Sequence, residues 1–276
     1  MEFIAYTYHF TPQLEERQLD LFSDTYELRQ SIMKRKNEVF SEILSNIRFY
    51  YRNKIYAHNI VSTEDSITIM QLANSRTITF ERNFSKIRES AEPSCFIIID
   101  NRSSSQTILV ERNARAFPDI ESVIRILERN FNNALLPKKL WMEIKKRPSE
   151  REFWDFCNKN KGKINLVRFS YKYPNVGRAA EKMRELLKDS SKEVKSDKTV
   201  VQFESQDALE IRQDNEILKG LADDSYQGGN AIDLRLKGSQ KLHQTGHTTL
   251  TVSIEPQWLI ERLFDKIKEK INASIK

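Results

Sequence analysis

Basic side chains are concentrated in one stretch of this chain, where they could bind the phosphates of a polyanion. Residues 138–198 contain 18 Lys and Arg against 9 Asp and Glu, a net charge of +9 in 61 of the 276 residues. The rest of the chain contains 27 basic and 30 acidic groups, so essentially all of the formal charge of +6 comes from this stretch. A run of charge is usually a solvated face, but cations interleaved with aromatic rings indicate a nucleic-acid-binding surface.

Within this stretch, a strand predicted at 139–145 presents cations beside an aromatic ring. Alternation puts Leu140, Met142 and Ile144 on one face. The opposite face receives Lys139, Trp141, Lys145 and Arg147, with Lys146 between the last two. An exposed Trp is costly unless something covers it, and stacking on a base or sugar would do so.

Two turns extend the predicted surface. Lys159, Lys161 and Lys163 surround Gly162, so their long side chains could reach phosphates. Lys172 and Arg178 flank a Pro-Asn turn before a predicted helix, whose N-terminal amides form a natural anion site. The predicted nucleic-acid-binding residues are Lys139, Trp141, Lys145, Lys146, Arg147, Lys159, Lys161, Lys163, Lys172 and Arg178.

Nothing in the sequence predicts recognition of particular bases, because neither zinc-finger spacing nor a helix-turn-helix is present. Binding should therefore involve the backbone and be nonspecific in sequence, with double-stranded DNA as the first expected ligand. Six to ten phosphate contacts would cost roughly 10³–10⁵ in affinity between 50 and 200 mM salt. RNA and an acidic protein, the latter implying an adaptor subunit, stay open as alternative partners.

Catalysis is the other alternative. Asp223 and Asp224 could join Asp233, Lys237 and Glu210 in a metal-dependent nuclease, since such enzymes pair spaced carboxylates with a strand lysine. Adjacent acids before two glycines are more often an exposed turn, so we predict no catalytic residue. His243 and His247 lie in a predicted loop without a third ligand nearby, and we predict neither a metal nor a cofactor.

The bulk composition is typical of a globular protein. Apolar residues make up 39% and charged residues 30%, and the longest apolar run, 96–99, is far too short to cross a membrane. The two cysteines, Cys95 and Cys157, sit among apolar neighbours, which predicts buried thiols in a cytoplasmic protein. The amino terminus lacks the pattern of a signal peptide.

Periodicity predicts an α+β fold of mostly antiparallel sheets with packed helices, in two similar-sized lobes at 1–137 and 138–276. Strands are predicted at 3–10, 47–57, 139–145, 164–173 and 200–203. Hairpins are predicted from 66–72 with 77–81, 94–100 with 106–111, and 231–236 with 248–254. Helices are predicted at 24–46, 83–90, 120–135 capped by Asp119, 149–158, 178–188, 208–221 and from 257.

The order of these elements resembles that of bacterial and phage defence proteins. The likeness is carried by LWMEIK at 140–145, INLVRFSYKYPN at 164–175 and GGNAIDLRLKG at 228–238, within about residues 66–255. These segments resemble proteins of the RexA-like phage-exclusion and KwaB-like Kiwa groups. The resemblance implies a DNA-binding component of an anti-phage system that forms a homodimer and works with a second defence protein. It transfers no catalytic residue.

Overall fold

The α+β fold predicted from the sequence is confirmed. The computed structural model describes residues 1–13, 25–172 and 198–275, with 32% of the chain in helices and 38% in antiparallel sheets. The helices are α1 (Thr25–Lys34), α2 (Lys36–Leu44), α3 (Ile120–Leu135), α4 (Glu150–Lys159), α5 (Glu216–Gln227), α6 (Pro256–Ile260) and α7 (Phe264–Ile275). A short 3-10 helix, Leu136–Lys138, follows α3.

Fifteen strands form four sheets in the described residues. The strands are β1 (Glu2–Pro12), β2 (Phe49–Tyr51), β3 (Lys54–Tyr56), β4 (His58–Glu64), β5 (Ile67–Ala73), β6 (Arg76–Arg82), β7 (Ser85–Ala91), β8 (Ser94–Asp100), β9 (Thr107–Glu111), β10 (Leu140–Lys146), β11 (Ile164–Lys172), β12 (Lys198–Glu204), β13 (Asp233–Leu236), β14 (Leu242–Gln244) and β15 (Thr251–Ser253). The seven-stranded sheet has the order β10-β1-β9-β8-β5-β4, with β15 also paired to β1. A four-stranded sheet has the order β12-β11-β13-β14, and β2-β3 and β6-β7 are separate pairs.

The chain divides into two compact units that are not contiguous in sequence. Unit 1 contains residues 1–4, 10–144 and 252–270, and unit 2 contains residues 5–9, 145–251 and 271–276. The sequence suggested the contiguous segments 1–137 and 138–276. The main break lies after Ile144, within β10, and the carboxyl-terminal stretch 252–270 belongs to unit 1.

Unit 1 is built around α3 and the inner strands of the large sheet. Asp119 caps α3 by accepting a hydrogen bond from the Glu121 amide at 3.0 Å, as its position in the sequence predicts. The apolar stripe of α3 is buried, and the Phe131 ring makes edge contacts with Phe40 and Phe49 at centroid distances of 5.0 and 5.9 Å. The 3.6-residue period that predicted this helix is therefore the period of its buried face.

Unit 2 has its own core between the four-stranded sheet and helices α4 and α5. Phe153 of α4 lies against Phe169 of β11, with ring centroids 6.1 Å apart. The Tyr171 hydroxyl donates a hydrogen bond to the Leu221 carbonyl at 3.0 Å, which ties β11 to α5. This packing of the sheet against the two helices fixes the positions of the loops that connect them.

Several predicted pairings are wrong although most of the strands exist. The segment 77–81 pairs with 85–91 through a turn at Asn83 and Phe84, both with positive φ, so the helix predicted at 83–90 is strand β7. The predicted strand 47–57 is the β2-β3 hairpin. The segment 231–236 pairs with β14 instead of 248–254, and the helix predicted at 208–221 begins at Glu216, where Asn215 caps it. The helix predicted at 178–188 lies outside the described residues.

No helix in the described part of the chain is long and apolar enough to cross a membrane.

Candidate nucleic-acid interface

Two lysine-bearing turns lie side by side at one end of the four-stranded sheet in unit 2. The first joins α4 to β11 at residues 160–163, and the second joins β13 to β14 at residues 237–241. The Lys237 amide donates a hydrogen bond to the Lys163 carbonyl at 2.7 Å, and β11 and β13 pair at Ile164 and Leu236 next to it. Antiparallel pairing therefore brings together two segments that are about 75 residues apart in sequence.

Both turns depend on a glycine. Gly162 has φ +73° and Gly238 has φ +81°, the left-handed region that side chains with a Cβ rarely occupy. No atom lies within 4 Å of the position that a Cβ would take on either glycine, so the backbone of both turns is open to a ligand. A large group such as a phosphate could approach without displacing protein atoms.

Five exposed lysines surround these glycines, and we refer to them as the lysine turns: Lys159, Lys161, Lys163, Lys237 and Lys241. Among the residues that the structure describes, one ion pair involves this set and joins Lys237 to Asp207 at 2.8 Å. That ammonium lowers the pKa of the fully exposed Asp207 carboxyl through a hydrogen bond and its charge. The set therefore has a local excess of positive charge that is suited to binding phosphates.

The structure assigns the other predicted residues that it describes to other elements of the fold. Lys139 and Trp141, the latter 43% exposed, belong to unit 1. In unit 2, a Cβ on Gly229 would lie 2.9 Å from the Lys145 Cβ, and the next residue, Asn230, donates to the Ser170 carbonyl at 3.0 Å. Lys145 is therefore near the far end of β11, about 20 Å from Lys163 at roughly 3.3 Å per residue.

Lys146 is exposed beside Lys145, and both interact with other protein groups. The Lys172 side chain and Arg178 lie outside the described residues. Of the predicted residues that the structure describes, Lys159, Lys161 and Lys163 form part of one site.

Arg147 is a clear correction to the predicted surface. Its side chain is only 1% exposed, so it is an interior residue and not a phosphate contact at the surface. Its backbone is held on both sides, because its amide donates to Ala5 at 3.0 Å and its carbonyl accepts from Leu250 at 2.8 Å. Alternation predicted an outward position, but the neighbouring carboxyl of Glu150 allows a guanidinium to lie inside.

The outer face of the four-stranded sheet carries both signs of charge in pairs. Arg168 lies 3.7 Å from Asp233 across the strands, and Arg235 forms an ion pair with Glu204. Gln202 accepts from Arg168 at 2.9 Å and thereby extends the network. Because carboxylates offset these cations, this face attracts a polyanion less than the lysine turns do.

The residues of the nuclease alternative are spread over separate interactions. Asp233 accepts from Gln244, Lys237 binds Asp207, and Glu210 pairs with Arg212. Asp224 is buried in α5. Within residues 1–13, 25–172 and 198–275, no group of three or more His, Cys, Asp or Glu could hold a metal ion. His243 is stacked on the Phe156 ring at a centroid distance of 4.0 Å.

A partly buried cluster in unit 2 contains two carboxyls and a guanidinium. Glu150, the first residue of α4, is hydrogen-bonded to Asp223 of α5, and the charges of Arg147 and Lys219 act on it. Burial, followed by the charge and hydrogen bond of Asp223, raises the pKa of Glu150 to about 8. Two adjacent carboxylates repel each other, so the folded protein favours a proton on Glu150.

We expect Glu150→Gln to remove most of the pH dependence of stability that this pair causes. The folded protein retains a proton that an unfolded Glu, with a pKa of 4.5, has lost, so wild-type stability falls as pH rises from 4.5 towards 8. The slope is at most about 1.4 kcal/mol per pH unit. Urea unfolding from pH 4.5 to 9 measures it.

The variant should match the wild type at low pH and exceed it in stability at pH 8, since the Gln amide keeps donating to Asp223. Asp155→Asn, at an exposed position in the same helix, is the control. A wild-type stability that rises across this pH range, or an unchanged slope in the variant, contradicts the assignment.

The two cysteines are buried as the sequence predicted. Burial raises the pKa of both the Cys95 and the Cys157 thiols to about 12. Neither thiol is therefore an accessible nucleophile at neutral pH.

Lys241 is the functional candidate that sequence reasoning missed, and Lys237 was predicted only as part of the nuclease alternative. The signal available was that lysines flank Gly238, one residue before it and three residues after it, as Lys161 and Lys163 flank Gly162. A search of protein-family models, of curated proteins and of solved structures found no match to this chain.

Proposed function

We propose that the protein binds the phosphate backbone of a polynucleotide, with double-stranded DNA as its ligand, through the lysine turns. The observation that carries this proposal is the hydrogen bond between Lys237 and Lys163, which places two glycine turns and five exposed lysines together. Only Asp207 offsets them by an ion pair among the described residues. Backbone phosphates supply the matching row of negative charge.

Binding of this kind is independent of base sequence. Lysine ammonium groups are compact point charges on flexible stems, so they follow phosphates without selecting base edges. The lysines also lie on turns or at the end of α4 beside one, whereas readout in the major groove usually needs a helix or a β-ribbon that enters it. The proposed contacts therefore position the protein on DNA and carry no sequence information.

The salt dependence of DNA binding tests the proposal. If all five lysines contact phosphates, log K should fall with log salt at a slope of about −4.5, which is about a 500-fold loss between 50 and 200 mM. Fluorescence anisotropy with a labelled 20-base-pair duplex of random sequence measures this slope. Two unrelated duplex sequences should bind within about twofold of each other, because phosphate contacts do not discriminate between bases.

A flat salt dependence would contradict the phosphate contacts. Tight, salt-sensitive binding of polyglutamate, with no binding of the duplex, would instead show that the lysine turns receive an acidic protein and would support the adaptor alternative.

The biological setting is part of the same proposal. The resemblance to RexA-like and KwaB-like proteins supports a role in phage defence, as a homodimer that works with a second protein. The buried thiols of Cys95 and Cys157 support a cytoplasmic location, where cysteines stay reduced.

A further inference from the structure

A cleft in unit 1 lies between the β2-β3 hairpin and helix α3. Its volume is about 610 Å³, within the range of roughly 300–1,000 Å³ that is usual for small-molecule sites. The hairpin contributes Tyr51, Arg52, Lys54 and Tyr56 to the lining, and α3 contributes Ser122, Arg125 and Ile126. All these residues belong to unit 1, whereas the lysine turns belong to unit 2.

The hairpin is fixed firmly on the helix. The Asn130 side chain of α3 accepts from the Tyr50 amide at 3.3 Å and donates to the Tyr50 carbonyl at 2.9 Å. Below them, the Phe49 ring packs against Phe131. Arg52 and Asn53 form the turn with φ of 48° and 62°, the positive values that a two-residue hairpin requires. The cleft therefore has two preformed walls.

Aromatic rings and cations alternate along these walls. The guanidinium carbons of Arg52 and Arg129 lie 5.4 and 5.6 Å from the Tyr51 ring centroid. The Lys54 ammonium lies 5.1 Å from the Tyr56 ring, which is itself stacked on Phe117 at 6.1 Å. The Tyr51 ring can stack on a base, and the cations beside it suit phosphates.

The charge of the cleft is positive. None of the described residues that line it is acidic, whereas Arg52, Lys54 and Arg125 are cationic. Lys54 donates to the neutral oxygens of Asn74 and Ser75, at 2.6 and 2.7 Å. Arg125 is paired with Asp119 at 2.9 Å, but both side chains are more than half exposed, so the pair is weak enough to exchange for a phosphate.

We propose that this cleft binds a nucleoside phosphate, with the base against Tyr51 and the phosphates on Arg52, Lys54 and Arg125. Burial, reinforced by the neighbouring Tyr51 phenol, raises the pKa of Tyr56, which keeps its hydroxyl neutral and able to donate a hydrogen bond. A free nucleotide and the terminal nucleotide of a strand share this chemistry.

Isothermal titration calorimetry with ADP, adenosine and tripolyphosphate tests the proposal. ADP should bind with a dissociation constant of about 1–100 μM, and each partial ligand should bind at least about tenfold more weakly. Tyr51→Ala should weaken ADP binding by about tenfold with little effect on tripolyphosphate, since it removes stacking and no positive charge. Arg125→Gln should weaken both ADP and tripolyphosphate.

Tyr50→Phe is the matched control, because Tyr50 is the neighbouring aromatic of the same strand and does not line the cleft. It should leave ADP affinity unchanged, and circular dichroism shows whether each variant is folded. Arg125 is exposed on α3, so Arg125→Gln provides a readout even if Tyr51→Ala fails to fold. Absence of ADP binding at 1 mM would overturn the proposal. So would equal affinities for ADP and tripolyphosphate that Tyr51→Ala leaves unchanged.

A second experiment identifies the source of the ligand and distinguishes binding at the cleft from binding at the lysine turns. It uses the variant Lys159→Glu/Lys161→Glu/Lys163→Glu, which disables the lysine turns. ADP binding should persist in this variant, whatever happens to duplex binding. If a 5′-phosphorylated hexadeoxyadenylate also binds it and ADP displaces the oligonucleotide, the cleft takes a strand terminus; if only ADP binds, it takes a free nucleotide. Loss of ADP binding in this variant would overturn the assignment to the cleft.

Discussion

Reversing three charges in the lysine turns should reduce the affinity for duplex DNA by at least about 100-fold at 100 mM salt. The variant Lys159→Glu/Lys161→Glu/Lys163→Glu removes three of the five proposed phosphate contacts and places three carboxylates against the backbone. All three side chains are exposed at or beside the α4-β11 turn, so the core of unit 2 is unaffected. The salt slope should fall from about −4.5 to about −1.8, because about 0.9 is lost with each contact. Fluorescence anisotropy measures both quantities.

A control with the same change in net charge separates the site from the overall charge. Lys34→Glu/Arg48→Glu/Arg76→Glu reverses three exposed cations of unit 1, and it should weaken DNA binding by less than about threefold. Asp207→Asn should have the opposite effect and strengthen DNA binding slightly, because it releases Lys237 from its ion pair. Equal losses in both triple variants would show that DNA responds to net charge and not to the lysine turns.

The same two triple variants test the defence role in cells. If the protein acts on phage DNA, expression of the wild type should lower the plating efficiency of a sensitive phage, and the lysine-turn variant should lose that effect. The charge-matched control should retain it. Equal protection by all three proteins would separate DNA binding from defence.

Arg147→Met should destabilise unit 2 more than the loss of any of its exposed charges. The guanidinium is 1% exposed and its charge acts on the partly buried Glu150, whose carboxyl is hydrogen-bonded to Asp223. Removing one partner of a buried charge cluster typically costs about 3–5 kcal/mol, because the remaining charge is left without compensation. Urea unfolding at pH 9 should show a loss of this size.

The loss of stability caused by Arg147→Met should become smaller as the pH is lowered. Arg147 lowers the pKa of Glu150, so without it the carboxyls hold their proton more strongly and carry less charge at low pH. At pH 5 the variant should recover about half or more of the loss. The control is Arg168→Met in the same unit, where a partly exposed ion pair with Asp233 is worth about 0–1 kcal/mol.

Arg147→Met also distinguishes the two interpretations of this residue. If Arg147 is an interior cation, the folded variant should bind duplex DNA as the wild type does. A large loss of DNA affinity in a variant that is still folded would instead restore Arg147 to the binding surface that alternation predicted. The unfolding and anisotropy measurements together decide between these outcomes.

Local pattern was sufficient wherever the chain itself supplies the periodicity. The 3.6-residue spacing and the Asp119 cap predicted α3 at its observed bounds, and alternation predicted that Leu140, Met142 and Ile144 of β10 are buried. The β8-β9 hairpin is likewise confirmed, because its strands are close in sequence and strongly apolar. In these elements the side chains that define the pattern are also the ones that become buried.

Strand partners were not predictable in the same way. Backbone hydrogen bonds form between any two strands, so alternation marks a strand but not its neighbour. This is why β6 pairs with β7 through Asn83 and Phe84, and why β13 pairs with β14. The helix predicted at 83–90 failed because its two apolar residues, Phe84 and Ile87, are too few to establish a period.

From its sequence alone, this protein is an α+β chain with an excess of lysine and arginine in its middle. Tertiary structure decided which of those cations lie together. Strand pairing placed Lys237 beside Lys163, whereas Arg147 is buried near Glu150. The physical reason is that a charge is a property of one residue, whereas its burial and neighbours depend on long-range pairing. The cleft between the β2-β3 hairpin and α3 arises in the same way, from side chains about 70 residues apart.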